Sequence, residues 1–176
     1  MSIEDAAAAA LEFWTPDHAI TAVAIAGAES GWVNEAPSTV DVVGGPGDRP
    51  EWRPYAYNGV YSWGLWQIHM PSHYELLIAV TDSGRPMDWV RYLCWPHNNA
   101  YIAHLLWQEP GQWGGWHPWS TWNNGAYAAY MSQALEAVYG VKPPPRPPLP
   151  FPGEPPLTPV EPPWAAVEPP AAHEPP

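Results

Sequence analysis

The chain has 176 residues and carries eighteen Asp and Glu against six Lys and Arg, a formal net charge of −12. That balance excludes nucleic acid as the main ligand, because phosphate recognition draws on clustered cations. The single cysteine, Cys94, excludes an internal disulfide.

In chain order, Ile3 to Trp14 reads as a first helix led by Glu4 and Asp5. Ala6 to Ala10 is too short for the apolar core of a signal peptide and follows acids, and no stretch is long enough to span a membrane. Thr15-Pro16-Asp17 starts a second helix. Threonine suits the cap, proline the first helical position, and aspartate the positive end of the dipole. From His18 to Ser30 the residues are apolar nearly all round, as in a buried helix, and Gly31 is a natural stop. Glu29 lies in the last turn. Burial and the negative end of the dipole both disfavour its charged form there. A carboxyl so placed suits a general acid, whereas an ordinary helix-end glutamate would turn to water or pair with Arg49 or Arg53.

Thr39 to Ile68, with Val40, Val42 and Val43 before Gly44-Gly45-Pro46-Gly47, is the one β region, a small hairpin or sheet. It ends in Ser62-Trp63-Gly64-Leu65-Trp66-Gln67-Ile68. Glycine among bulky aromatics marks a sharp turn or a close backbone approach. Gln67 offers a neutral amide suited to hydroxyl and N-acetyl groups. Tyr61, Trp63 and Trp66 have flat faces that suit either the apolar side of a sugar ring or a core.

Short helices follow at Ser72 to Val80 and Pro86 to Trp95, then His97 to Gln108, stopped by Pro110-Gly111, and Gly125 to Tyr139. On the last, Tyr127, Tyr130, Met131, Ala134, Leu135 and Val138 form a core stripe. Trp113, Trp116, Trp119 and Trp122 recur at every third position through glycines and a proline, as a glycan-stacking loop or an aromatic lid. His69 and His73 share a helical spacing, but Pro71 intervenes and no third ligand follows, so no metal site is expected. Nor is a cofactor: the glycine-rich run lacks the lysine and helix of a phosphate loop. After Lys142 the composition shifts, and the last 35 residues hold sixteen of the 26 prolines. That describes an extended, disordered proline-rich tail or linker over 142–176, beyond a domain of 1–141.

Three elements together resemble the lytic transglycosylase and goose-type lysozyme families. These are Glu29-Ser30 at a helix end, Ser62-x-Gly64-Leu65-x-Gln67-Ile68, and Trp122-Asn123-Asn124-Gly125. The resemblance spans about Asp17 to Val138. Trp66 stands where the family usually has methionine, and Trp122 where it usually has tyrosine. The resemblance implies an α+β, mostly helical, two-lobed lysozyme-like domain that cleaves the β-1,4 bond between N-acetylmuramic acid and N-acetylglucosamine. It makes Glu29 the catalytic acid. The expected substrate contacts are Ser30, Ser62, Gly64, Leu65, Trp66 and Gln67, with Trp122, Asn123 and Tyr127. The long segment between Glu29 and Ser62 is similar to variants in phage virions. That implies a phage-encoded or virion-associated protein acting at the bacterial wall on peptidoglycan strands, its tail a spacer or an arm toward other virion proteins. If a second carboxylate serves, Asp41 is the first candidate, ahead of Asp48 and Glu51. The same fold could instead be a non-catalytic glycan-binding or virion structural protein.

Overall fold

The structure is a computed structural model that describes residues 2–111 and 114–140. The tail over 142–176, its boundary at 141, and Trp113 lie outside the described residues. The fold is mostly helical with one small two-stranded sheet.

Helix α1 (Ile3–Phe13) opens with the Asp5 carboxylate accepting from the Ser2 backbone N–H at 3.1 Å. Helix α2 (Pro16–Ser30) is the spine, with Ala19, Ile20 and every residue from Ala22 to Gly27 buried. The Thr15 hydroxyl meets the His18 ring at 3.1 Å, so Thr15 caps α2 through its carbonyl rather than its side chain. Gly31 ends the helix at φ 63°, in the left-handed region that glycine enters without steric cost. The small residues of α2 let α1 and helix α7 (Met131–Gly140) pack close.

The expected β region is much smaller than its valines suggest. Strand β1 (Ser62–Trp63) pairs antiparallel with β2 (Ile68–His69). Before it run only single bridges, Pro37 to Trp63, Val42 to Val60 and Tyr57 to Val60. Val40 is 76% exposed, so the segment has no face to bury and coils instead around polar side chains. A 3₁₀ turn, Met70–Ser72, leads into α3 (Tyr74–Thr81), followed by α4 (Pro86–Leu93) and α5 (Pro96–Gln108).

The continuous helix expected over 125–139 is broken. A short α6 (Ser120–Asn123) precedes a 3₁₀ segment, Ala126–Tyr130, and only then does α7 begin. In a 3₁₀ helix, residues three apart line up. Tyr127 thereby stacks on Trp122 at 4.6 Å while Tyr130 meets the edge of Trp32 at 5.3 Å. The change of pitch also rotates the stripe. Ala134, Ala137 and Val138 are buried, but Leu135 is 45% exposed.

The β1–β2 turn is the hub of the core. The Trp66 indole donates to the Ala22 carbonyl of α2 at 2.9 Å, and the Trp119 indole donates to the Trp66 carbonyl at 2.9 Å. Asn99, fully buried on α5, accepts from the Trp66 backbone N–H and donates to the carbonyls of Trp63 and Leu93. Removing the Trp66 side chain would cost about 3–5 kcal/mol.

Candidate active site

Helix α2 delivers Glu29 to one wall of an open cleft of about 320 Å³. A second wall is formed by residues of the 38–41 loop with Ser62, His69 and His73, and Trp66, Leu106, Pro118, Trp119 and Ser120 contribute to the rest of the lining.

The carboxyl of Glu29 is largely removed from water, and burial raises its pKa above the ordinary value of 4.5. The Thr121 hydroxyl donates to Glu29 Oε1 at 2.7 Å and pulls part of that shift back. Neither arginine considered as its partner reaches it. Arg53 is paired with Asp48 at 2.8 Å, and the Arg49 guanidinium lies over Trp52 at 4.7 Å. Glu29 is therefore a partly buried carboxyl oriented by a neutral donor, an environment that favours its protonated form more than water does.

Asp41 stands on the other wall, held by neutral donors. Its carboxylate oxygen Oδ2 accepts from the Ser62 hydroxyl, and His69 Nε2 lies 3.7 Å from the same atom. Its backbone is fixed as well, with N–H donating to Ser38 Oγ at 2.9 Å and its carbonyl accepting from Tyr61 at 3.0 Å. Of the other acids considered for a second carboxylate, Asp48 is bound elsewhere. It accepts from Arg53, from the Tyr61 hydroxyl at 2.6 Å and from the Gly44 backbone, which together hold its pKa at about 2. Glu51 is exposed in the 3₁₀ segment Pro50–Tyr55, away from the cleft lining. Burial lowers the pKa of His69 despite the nearby Asp41, and pushes His73 down to about 4, so that both imidazoles are neutral at pH 7.

The remaining sequence candidates divide. Ser62, Trp66 and Gln67 line the cleft with Glu29 and Asp41. Gln67, at φ 47°, spends its amide hydrogens on the Ala36 and Gly64 carbonyls, both at 2.9 Å, so the oxygen is what it can offer a ligand. Gly64 and Leu65 sit in the core instead of the cleft. A Cβ on Gly64 would collide with the Asn99 amide and come within 2.7 Å of the Leu93 carbonyl oxygen, so the close approach is to the protein's own α5. Tyr61 is 1% exposed, Trp63 9% and Trp66 0%, so these rings are core rather than open stacking faces. Ser30 donates its hydroxyl back to Ala26 at 2.9 Å and takes no part in the lining. Trp122 and Tyr127 stack on each other outside the cleft lining, and Asn123 donates to the His117 carbonyl at 2.9 Å. Trp116 and Trp119 are buried in the core, and Trp119 also borders the cleft.

The sequence reading missed Thr121, Ser38 and Ser120, and gave His69 and His73 no part in a cleft. Thr121 is 92 residues from Glu29, and nothing local announces such a contact. His69, directly after the Gln67-Ile68 pair, carried a usable signal: a polar side chain at the far end of a strand whose other positions are buried. Among the described residues no three His, Cys, Asp or Glu side chains are grouped to hold a metal ion, and no helix is long and apolar enough to cross a membrane. Comparison with known proteins returns no matching family model, no matching curated protein and no matching solved structure.

Proposed function

We propose that this protein cleaves the β-1,4 bond between N-acetylmuramic acid and N-acetylglucosamine in peptidoglycan, on a lysozyme-like fold, with Glu29 as general acid. One observation carries the reading. A carboxyl with a raised pKa and no cationic partner lines an open cleft together with an oriented carboxylate, Asp41. The three sequence elements around Glu29, Gly64 and Asn123 support it, as does the mostly helical fold with its small sheet.

In this mechanism Glu29 donates its proton to the glycosidic oxygen as the bond to the muramyl carbon breaks. The Thr121 hydroxyl donates to Oε1 and orients the carboxyl. Positive charge develops on the sugar ring, and Asp41 across the cleft opposes it. Glu29, now a carboxylate, then takes a proton from the group that attacks the ring carbon. If that group is water, the product ends in a reducing sugar; if it is the muramyl C6 hydroxyl, an anhydro ring closes. The site of action on this reading is the bacterial wall, reached from a phage particle.

The test is to incubate wild type and Glu29→Gln with purified peptidoglycan and identify the soluble muropeptides by mass spectrometry. Fragments from wild type alone are the expected result, with anhydro-muramyl ends indicating a transglycosylase and reducing ends a hydrolase. Binding by both proteins without fragments from several wall types would leave a glycan-binding module and end the enzymatic reading.

A further inference from the structure

His69 is bonded in a way that fixes where its proton sits. The backbone N–H of Ser72 donates to His69 Nδ1 at 3.3 Å, and the Ser72 hydroxyl meets the same nitrogen at 2.7 Å. A ring nitrogen that accepts from an amide N–H has its lone pair engaged and carries no proton. The neutral ring must therefore be protonated on Nε2, the nitrogen that faces Asp41 Oδ2. Trp52 packs edge-on against the ring at 4.7 Å and Tyr61 lies at 6.0 Å, so the imidazole is held in place from the side. Asp41 and His73 are the ionisable groups that act on it electrostatically.

We propose, resting on the reading of this cleft as a glycosidase site, that His69 is a positioning residue for Asp41. Its Nε2–H and the Ser62 hydroxyl both address Oδ2, which leaves Oδ1 as the oxygen turned to the sugar or to an attacking water. At 3.7 Å the imidazole contact is longer than a hydrogen bond, and contacts of this kind commonly tighten when substrate binds. Ser72 thus acts at one remove: by occupying Nδ1 it selects the tautomer that can donate to Asp41. The arrangement is not a nucleophilic triad. The Ser62 hydroxyl donates to the carboxylate rather than the imidazole, and Ser72 does not line the cleft.

Two substitutions separate the two ends of the ring. His69→Gln keeps an N–H near the Nε2 position and loses the acceptor for Ser72. His69→Asn keeps an acceptor near Nδ1 and loses the donor to Asp41. The expected result is that His69→Asn loses about 10–100-fold in kcat with little change in KM, while His69→Gln keeps at least ten times more activity than His69→Asn. Long-range proton–nitrogen correlation spectra at pH 7, with the His69 signals assigned by their loss in His69→Gln, should report a proton on Nε2. An Nδ1–H tautomer overturns the proposal whatever the variants do, including the case in which His69→Asn fails to fold. Activity retained by His69→Asn and lost in His69→Gln would make His69 a cap for Ser72 and nothing more. An inactive wild type overturns this proposal together with the glycosidase reading. An active, Glu29-dependent wild type with the variant order reversed overturns this one alone.

Discussion

The two walls of the cleft are built by different physics. Glu29 is carried on α2, a helix buried through its middle at Ala19, Ile20 and Ala22 to Gly27 and packed by α1, α7 and the indole of Trp66. Asp41 is carried on a segment with no core of its own, where Val40 and Val43 are exposed and order comes from hydrogen bonds. On the first wall desolvation dominates and the carboxyl is pushed toward its neutral form. On the second, the carboxylate accepts from the Ser62 hydroxyl and lies beside the His69 ring. The two carboxyls thus sit in different environments, and each prediction below perturbs one wall to see whether the other responds.

The largest effect is expected at Glu29. Glu29→Gln removes the proton donor while keeping an oxygen for Thr121, and general acid catalysis is worth about 10²–10⁴-fold in rate. The same substitution should make the protein more stable at pH 7. A carboxyl whose folded pKa is raised costs stability once pH rises through that folded value, and costs nothing below its unfolded value of 4.5. Thermal midpoints of wild type and variant should therefore diverge at pH 7 and converge at low pH. Loss of activity with no gain in midpoint at pH 7 would mean that Glu29 is not strained by burial.

Next in size is Gly64→Ala, which acts on the packed wall without touching the cleft. The added methyl meets the Asn99 amide at a backbone with φ 86°, so it disturbs the clamp on the Trp63 and Leu93 carbonyls and strains the turn. About 3 kcal/mol or more of global stability should be lost, read by denaturant unfolding. A variant of wild-type stability but reduced glycan affinity would instead return Gly64 to the ligand site that the sequence suggested.

That position illustrates how far the sequence was legible. The start and stop of α2 could be read because proline, aspartate and Gly31 act within one turn of where they stand. The heptapeptide from Ser62 to Ile68 was legible as important but not as what. A tight glycine among aromatics signals close approach, and only the fold tells whether Asn99 or a sugar makes it. The 3₁₀ segment at Ala126–Tyr130 was hidden because the contacts that accompany it, Tyr127 on Trp122 and Tyr130 on Trp32, lie across a turn or far away in sequence. The valines near Val40 misled in the opposite sense, since strand-forming residues with no buried face to line do not make a sheet. Thr121 and the paired donors on Asp41 are products of tertiary contact between segments that carry no mark of each other.

Asp48→Ala probes the other wall. Asp48 accepts from Arg53, Tyr61 and Gly44, and so ties the 44–53 loop to the strand that holds Ser62. The global unfolding midpoint should change little, because the packed helices do not depend on this loop. Amide exchange over 38–60 should accelerate, and kcat should fall several-fold as Asp41 loses its fixed backbone. If instead the whole protein unfolds at lower denaturant, the polar wall is part of the same cooperative unit as α2, and the contrast between the walls is one of composition only.

The smallest and sharpest test is Thr121→Val, which removes one hydroxyl from beside Glu29 and leaves the shape of the packed wall nearly intact. The hydroxyl donates to Oε1 and so favours the charged carboxylate; without it, only the Thr121 backbone hydrogen bond opposes burial, and the pKa of Glu29 should rise further. A general acid works only while protonated, so activity is lost as pH rises through that pKa. The alkaline limb of kcat/KM for Thr121→Val should accordingly lie at higher pH than that of wild type, with a maximal rate reduced a few-fold by poorer orientation of the carboxyl. A limb that moves to lower pH would mean that Thr121 holds the proton on Glu29 instead of sharing it. A limb that does not move would mean that Glu29 is not the group whose titration sets it.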